Sequence, residues 1–353
     1  MARPIILGIV GDSAAGKTTI SRGLVRILGE ENVTHIATDD YHKYDRKQRA
    51  ERGITPLDPE CNYIDIIAQD LHHIRAGDPI LKPVYRHNDG TFGAPVYVEP
   101  KNYVVVEGLL GYYSQELRDS YDVRVYLAPP EDLRRKWKVS RDCSRRGYTT
   151  DQVLEELDKR EHDSEAFIRP QERQADLVIS FMPGENGDMD HLDAELTLRS
   201  SLPHPDLSLI VGDGRAGITL EEGSHGDCLR VPGKVDPARG AEIEEAIWGR
   251  MHFASHLRSE RLGEFTIGTN LHRSESLALV QLLILYHLVT AKATVAVGGD
   301  GARYDHRGKS PTVTSSSSAA VGPSRGEESA GQRSGGGGAE DEPAAELADQ
   351  LAS

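Results

Sequence analysis

Two rhythms of apolar residues alternate through the first half of the chain. One is the short unbroken block. "PIILGIVG" at 4–11, "NYVVVEGLL" at 102–110, "DVRVYLA" at 122–128 and "ADLVISFMP" at 175–183 are rich in Ile, Val and Leu. A continuous apolar run of this length predicts a strand buried on both faces of a parallel sheet. A fifth strand is predicted in "NVTHIATDDYH", ending at Thr38. The other rhythm has helical spacing. Ile20, Leu24, Ile27 and Leu28 recur at three and four residues, which predicts a helix over 17–28. Further helices are expected at about 63–75, closed by Gly77 and Pro79, at 131–145 and at 151–161. Strands that alternate with helices imply an α/β unit with a mostly parallel sheet flanked by helices over residues 1–183. In such sheets ligands sit beyond the carboxyl ends of the strands. Gly11, Asp39 and Glu107 fall at those ends.

The pattern changes after 183. Strand-like pieces ("LSLIVG", "AGITLEEG", "DCLRVPG") and helices near 241–251 and 274–290 predict an α+β C-terminal extension over 184–297. The stretch "SLALVQLLILYHLVTA" is interrupted by Gln281 and His287, and its uninterrupted apolar run is shorter than the roughly 18 residues a membrane span needs. A buried or interface helix is expected there, with no membrane partner. From 298 to 353 the composition turns to Ser, Gly, Pro and acid, a tract too poor in apolar residues to offset its ordering entropy. It is expected to be a disordered tail.

Charge narrows the field. The 353 residues carry a formal net charge of −15, which argues against nucleic-acid binding and against adhesion to anionic membranes. The three cysteines match no zinc or redox spacing, and no signal or transit peptide is expected before the first strand. A reducing, cytoplasmic setting is the expectation.

"GDSAAGKTT" opens the chemistry. Gly-x4-Gly-Lys-Thr between a strand and a helix is a P-loop, which cradles a polyphosphate in backbone N–H groups. Gly11, Asp12, Ser13, Ala14, Ala15, Gly16, Lys17, Thr18 and Thr19 are the expected nucleotide contacts. Lys17 would reach the β- and γ-phosphates and Thr18 would ligate Mg2+. Asp39, directly after the second strand, can accept the proton of a hydroxyl acceptor. His42, Arg46 and Arg49 follow it, and arginines suit an acceptor that already carries a phosphate. Glu107 can hold the metal. On the helix of "RKWKVSRDCSRRGY", Lys138, Arg141 and Arg145 share a face, where they could cover a transferring phosphoryl group, with Asp142 orienting one arginine. Tyr85 and His87, two apart in "KPVYRHNDG", would point the same way from an extended segment. Taken alone they read as an exposed loop pair.

In order, "GDSAAGKTT", "TDDYHKYDR", "LDPECNYID", "KPVYRHNDG", "VVVEGLLG", "SRDCSRRGY" and "RPQERQADLVI" resemble the phosphoribulokinase/uridine kinase family of P-loop kinases over about residues 4–183. "DDYHKYDR" with "LDP" resembles the branch that acts on ribulose 5-phosphate. Uridine kinases have Ser-Phe-Tyr where this chain has Asp40-Tyr41-His42. The resemblance implies Mg-ATP-dependent phosphorylation of D-ribulose 5-phosphate to ribulose 1,5-bisphosphate, as in the Calvin cycle. It implies Asp39 as general base, Lys17, Arg141 and Asp142 as catalytic partners, and Thr18 and Glu107 at the metal. It places His42, Arg46, Arg49, Tyr85, His87, Lys138 and Arg146 on the sugar phosphate. The alternatives are uridine kinase or another sugar or nucleoside kinase, and a nucleotide-binding regulator without turnover. Leu110 stands where the family often has His. Ala15 and Ala37 stand where plant-type members carry regulatory cysteines, so no thiol switch is expected. A homo-oligomer, a dimer, is expected, and the helix from Leu277 to Leu288 could be core or subunit interface.

Overall fold

A computed structural model of the chain describes residues 2–214, 216–251, 257–267 and 270–303, with only the backbone at 145, 146 and 267. The described residues belong to one compact unit. The expected tail is outside the described residues from 304 onward.

The chain starts with strand β1 (Ile5–Gly11), helix α1 (Lys17–Leu28) and strand β2 (Val33–Ala37). Helices α2 (Arg46–Arg52) and α3 (Ile64–Ala76) follow. Next come four short strands, β3 (Ile80–Lys82), β4 (Tyr85–Arg86), β5 (Thr91–Phe92) and β6 (Val96–Val98), paired β3 with β6 and β4 with β5. Then come β7 (Tyr103–Gly108), α4 (Gln115–Ser120), β8 (Val123–Leu127), α5 (Glu131–Arg146), α6 (Thr150–Asp163) and β9 (Leu177–Gly184). Strand β10 (Asp188–Leu198), α7 (Ser208–Val211), β11 (Thr219–Glu221), β12 (Asp227–Val231) and α8 (Pro237–Trp248) continue the chain. The hairpin β13 (Glu264–Ile267) and β14 (Asn270–Arg273) leads into α9 (Glu275–Ala296).

Eight strands form one sheet in the order β11-β12-β10-β9-β8-β1-β7-β2. From β9 to β2 the neighbours are parallel, and β10, β12 and β11 add antiparallel. All seven residues of β1 are buried, which is why its sequence runs apolar without alternation. One face of the sheet packs with α1, α8 and α9, the other with α3 and α4. The helix α9 has 22 residues and by length and composition could cross a membrane. Here it is a core helix: Leu279, Leu282, Leu283 and Ile284 are buried on every side against α1, α8 and the sheet.

Three expectations differ from what is observed. The division at 183/184 falls inside β9, one residue before its end, and β9 pairs antiparallel with β10 from Leu177–Leu198 to Met182–Asp193, so the extension continues the same sheet. "LSLIVG" is helical over Ser208–Val211, because Asp206 accepts from the Ser208 N–H at 3.1 Å and starts a turn. Residues 301–303, assigned to the tail, are packed: Ala302 is buried, and Arg303 forks onto the Asp176 carboxylate at 2.5 and 2.7 Å.

Two glycines mark close approaches that shape the site. A Cβ on Gly11 would lie 2.6 Å from the Leu127 carbonyl oxygen, and one on Gly108 would lie 1.7 Å from Thr38 Oγ1. The ends of β1, β7 and β8 and the turn after β2 can meet this tightly only with glycine there.

Candidate active site

The P-loop joins β1 to α1. Gly16 at φ 96° and Ala14 at φ 65° turn the backbone left-handed, and α1 begins at Lys17. Lys17 Nζ donates to the carbonyl oxygens of Gly11 and Asp12, both at 2.9 Å. Burial pulls its pKa down, against the opposing fields of Asp39, Glu107 and Asp12. Thr18 Oγ1 lies 3.3 Å from Glu107 Oε1, and Ser21 Oγ donates to Glu107 Oε2 at 2.8 Å. Glu107 is the fifth residue of β7, beside Ala37 of β2, and His35 Nε2 stands 3.4 Å from its Oε1. Burial pushes the Glu107 carboxyl up, and His35, Ser21 and Lys17 together hold it below its ordinary value.

Thr38–Tyr41 form a single 3-10 turn at the carboxyl end of β2, which carries Asp39. Burial pushes Asp39 up, but the fields of His42, His87, Lys17 and Arg49 hold it below its ordinary value, so it is a carboxylate at neutral pH. Its neighbour Asp40 turns the other way. Asp40 accepts from Lys82 Nζ and, at 2.8 Å, from the Tyr85 N–H, which pins the β3–β4 segment against the turn.

That segment forms one wall of the site. The Tyr85 ring meets His42 at 4.9 Å and His87 at 5.1 Å, both edge-on. Arg49 is buried. Its Nη2 donates to Tyr85 Oη at 2.6 Å and its Nη1 to the Tyr44 carbonyl at 2.7 Å. His42 Nδ1 is 2.7 Å from Asn62 Oδ1, and burial lowers its pKa against the opposing pull of Asp39. The structure thus places Tyr85 and His87 against His42 and Arg49, and Tyr85 is buried where the loop-pair reading expected exposure.

On α5, Lys138 Nζ and Arg141 Nε each donate to Asp142 at 2.8 Å. Lys138 and Asp142 are buried, while Arg141 is partly exposed. Burial brings the Lys138 ammonium down to about 8 despite this pairing. Burial pushes Asp142 up, but Arg141 and Lys138 outweigh it and bring the carboxyl to about 2. The field of Arg141 reaches Lys17, so α5 faces the nucleotide loop.

Most expected residues therefore converge on one place between the P-loop, the turn after β2 and α5. A few stand differently. Thr19 is exposed on the first turn of α1. Asp12 turns its carboxylate to Arg134 and Ser164. Arg46 is exposed, and its guanidinium donates to the His87 carbonyl. The Arg146 side chain lies outside the described residues. Sequence reasoning missed Arg134, Ser21, His35, Lys82 and Asn62. A signal existed for Arg134, which precedes Lys138 by four residues and so shares the face already assigned to Lys138 and Arg141.

Thr18, Glu107 and Ser21 offer hard oxygen donors beside the loop, a set that fits Mg2+, which takes few protein ligands and keeps water and phosphate oxygens. Among the described residues no cluster of three or more His, Cys, Asp or Glu could form an all-protein metal cage.

Loop, carboxylates and cations at the carboxyl ends of a parallel sheet define a P-loop kinase arrangement. The sequence matches the phosphoribulokinase/uridine kinase family over residues 6–186. The chain belongs to that family. It is 39% identical over 181 residues to a phosphoribulokinase of Synechocystis, covering 51% of this chain and 54% of the relative. It is 32% identical over 198 residues to the chloroplastic phosphoribulokinase of Triticum aestivum, covering 51% and 49%. A uridine kinase of Streptococcus gordonii is 33% identical over 181 residues, covering 50% and 86%. This chain thus spans about half the length of the phosphoribulokinases it matches. In fold it is similar to the solved phosphoribulokinase from Rhodobacter spheroides, with TM-score 0.53 and 19% identity over 70% of this chain and 97% of that one.

Proposed function

We propose that this chain is an ATP-dependent phosphoribulokinase, transferring the γ-phosphoryl group of ATP to D-ribulose 5-phosphate to give ribulose 1,5-bisphosphate. The observation that carries the reading is Asp39. An ionised, partly buried carboxylate stands within the fields of the P-loop lysine on one side and of Arg49, His42 and His87 on the other. A kinase needs a base at the acceptor hydroxyl, and an acceptor with its own phosphate needs cations beyond that base.

In this reading the loop N–H groups and Lys17 bind the phosphate chain. Lys17 exchanges its two carbonyl contacts for phosphate oxygens. Arg49, His42 and His87 hold the sugar phosphate so that its hydroxyl meets Asp39. As the oxygen attacks, its proton passes to the Asp39 carboxylate, and the P–O bond to the leaving diphosphate breaks. Arg141, oriented by Asp142, covers the charge that spreads over the transferring group. Mg2+, when held beside Thr18 and Glu107, supplies charge neutralisation on the phosphate oxygens. All three cysteines are unpaired, in keeping with the reducing cytoplasmic setting we propose.

The relatives named uridine kinase make that nucleoside the rival acceptor. ADP release with Mg-ATP, measured with ribulose 5-phosphate, with uridine and with no acceptor, separates the readings. Turnover on ribulose 5-phosphate alone is expected. Turnover on uridine instead would overturn the acceptor, and acceptor-independent or absent turnover would overturn the kinase.

A further inference from the structure

Beside the nucleotide loop, α5 carries a guanidinium that the reaction above does not use. Arg134 has a side chain only 5% exposed. Its Nη1 donates to the Ser13 carbonyl oxygen at 2.9 Å and lies 3.5 Å from Asp12 Oδ1. Its Nε and Nη2 fork onto the Glu131 carboxylate, both at 2.7 Å. Asp12 in turn accepts from the Ser13 N–H at 2.6 Å and from the hydroxyl of Ser164, in the turn that follows α6. The cluster stitches α5 and the end of α6 to the loop.

The contact lands on a particular peptide. The Ser13 carbonyl belongs to the same planar unit as the Ala14 N–H. Ala14 has φ 65°, a left-handed conformation that opposes a residue with a Cβ by about 1–2 kcal/mol. Such a conformation persists where its surroundings hold it. In a trans peptide the C=O and N–H point opposite ways. Anchoring the carbonyl toward α5 therefore turns the Ala14 N–H away from α5.

We propose that Arg134 is a positioning residue for the nucleotide: it holds the Ser13–Ala14 peptide so that the Ala14 N–H faces the phosphate chain, with Asp12 and Glu131 fixing the guanidinium. The inference rests on the kinase reading for its nucleotide and is independent of the acceptor. It also gives α5 a second task. The helix that brings Arg141 toward Lys17 is tied to the loop about two turns earlier, so loop and cation move together.

The test is calorimetric ADP binding to the full chain, with adenosine as the phosphate-free control. Arg134→Met should weaken ADP about tenfold, the loss of one charge-assisted hydrogen bond's worth of positioning. Adenosine affinity should stay within about twofold, because only the phosphate contacts are disturbed. Arg134→Lys, which keeps one donor, should recover part of the loss. Unchanged ADP affinity in folded Arg134→Met, or equal loss for ADP and adenosine, overturns the proposal. Should Arg134→Met fail to fold, Asp12→Asn decides. It keeps the acceptor for the Ser13 N–H and removes the counter-charge, and ADP selectively weakened supports the role while unchanged ADP overturns it. A wild-type protein that binds no ADP would overturn the kinase reading itself, and that is seen before any variant is made.

Discussion

Asp39 and Asp40 are adjacent, chemically identical and put to opposite uses. Asp39 faces the site as a carboxylate held ionised by cations. Asp40 is spent on Lys82 and the Tyr85 N–H, and so builds the wall that Asp39 works beside. The sequence could nominate Asp39 from its place after a strand, but nothing in "TDDYH" says where Asp40 turns, because its partners lie more than forty residues on. On α5, Asp142 is the residue whose protonation reads out most directly. Its folded pKa of about 2 lies below the unfolded carboxylate value, so its stabilising contribution is full above about pH 4 and is lost as pH falls toward 2. The shift corresponds to about 2 kcal/mol. Urea unfolding of wild type and Asp142→Asn across pH 2–5 should show the gap between them closing as pH falls through this window. A constant gap would mean that Asp142 is not held low by Lys138 and Arg141. On the wall beside Asp39, Arg49→Ala should raise KM for the phosphorylated sugar at least tenfold with a smaller change in kcat, because its guanidinium orders Tyr85 and, in the proposed reading, holds the acceptor. An unchanged KM would take Arg49 out of the acceptor site.

The elements place these residues through their ends. β1, β2 and β7 run in parallel register with Ile9 and Ala37 flanking Glu107, so Glu107, the turn after Ala37 and, two residues further along β1, Gly11 gather at the carboxyl edge of the sheet. The contact between Gly108 and Thr38 locks the Asp39 turn onto β7. Gly108→Ala should lower stability by about 1–3 kcal/mol and reduce turnover, since the added methyl must push aside the turn that carries the base. Wild-type stability and turnover would show that the turn has room to give. The P-loop, α1 and the parallel strands were legible because each carries its own pattern: glycine spacing, a helical stripe, a run buried on both faces. Helix α2 was not, because its seven residues "RKQRAER" carry no apolar stripe and its start comes from the Asp45–Gln48 capping box. Strand β10 was hidden for a different reason. Ala194, Leu196 and Leu198 alternate with polar residues, the signature of a half-buried antiparallel strand, while the expectation across that boundary was a new unit.

Across the molecule, the sheet that begins as a parallel nucleotide fold is extended by antiparallel strands, and α9 closes one face of both parts. The segment 298–303 returns to the opposite edge from the P-loop and seats Arg303 on Asp176, a carboxylate with 0% exposure. The composition of that stretch gave no sign of this, since one arginine after a glycine-rich stretch looks like tail. Arg303→Ala leaves Asp176 to Arg124 and Ser201, and should lower stability by about 3 kcal/mol, read from the urea midpoint. No shift in that midpoint would show that the segment is not part of the folded core.

The central claim is that Asp39 is the base of a kinase whose nucleotide sits on the P-loop. The most direct test compares Asp39→Asn with wild type in two numbers: turnover of ribulose 5-phosphate with Mg-ATP, and the dissociation constant for ATP. The account predicts a fall in turnover of about 10^2–10^4 with ATP affinity within a few-fold of wild type. Turnover near wild type, with ATP still bound, would contradict it.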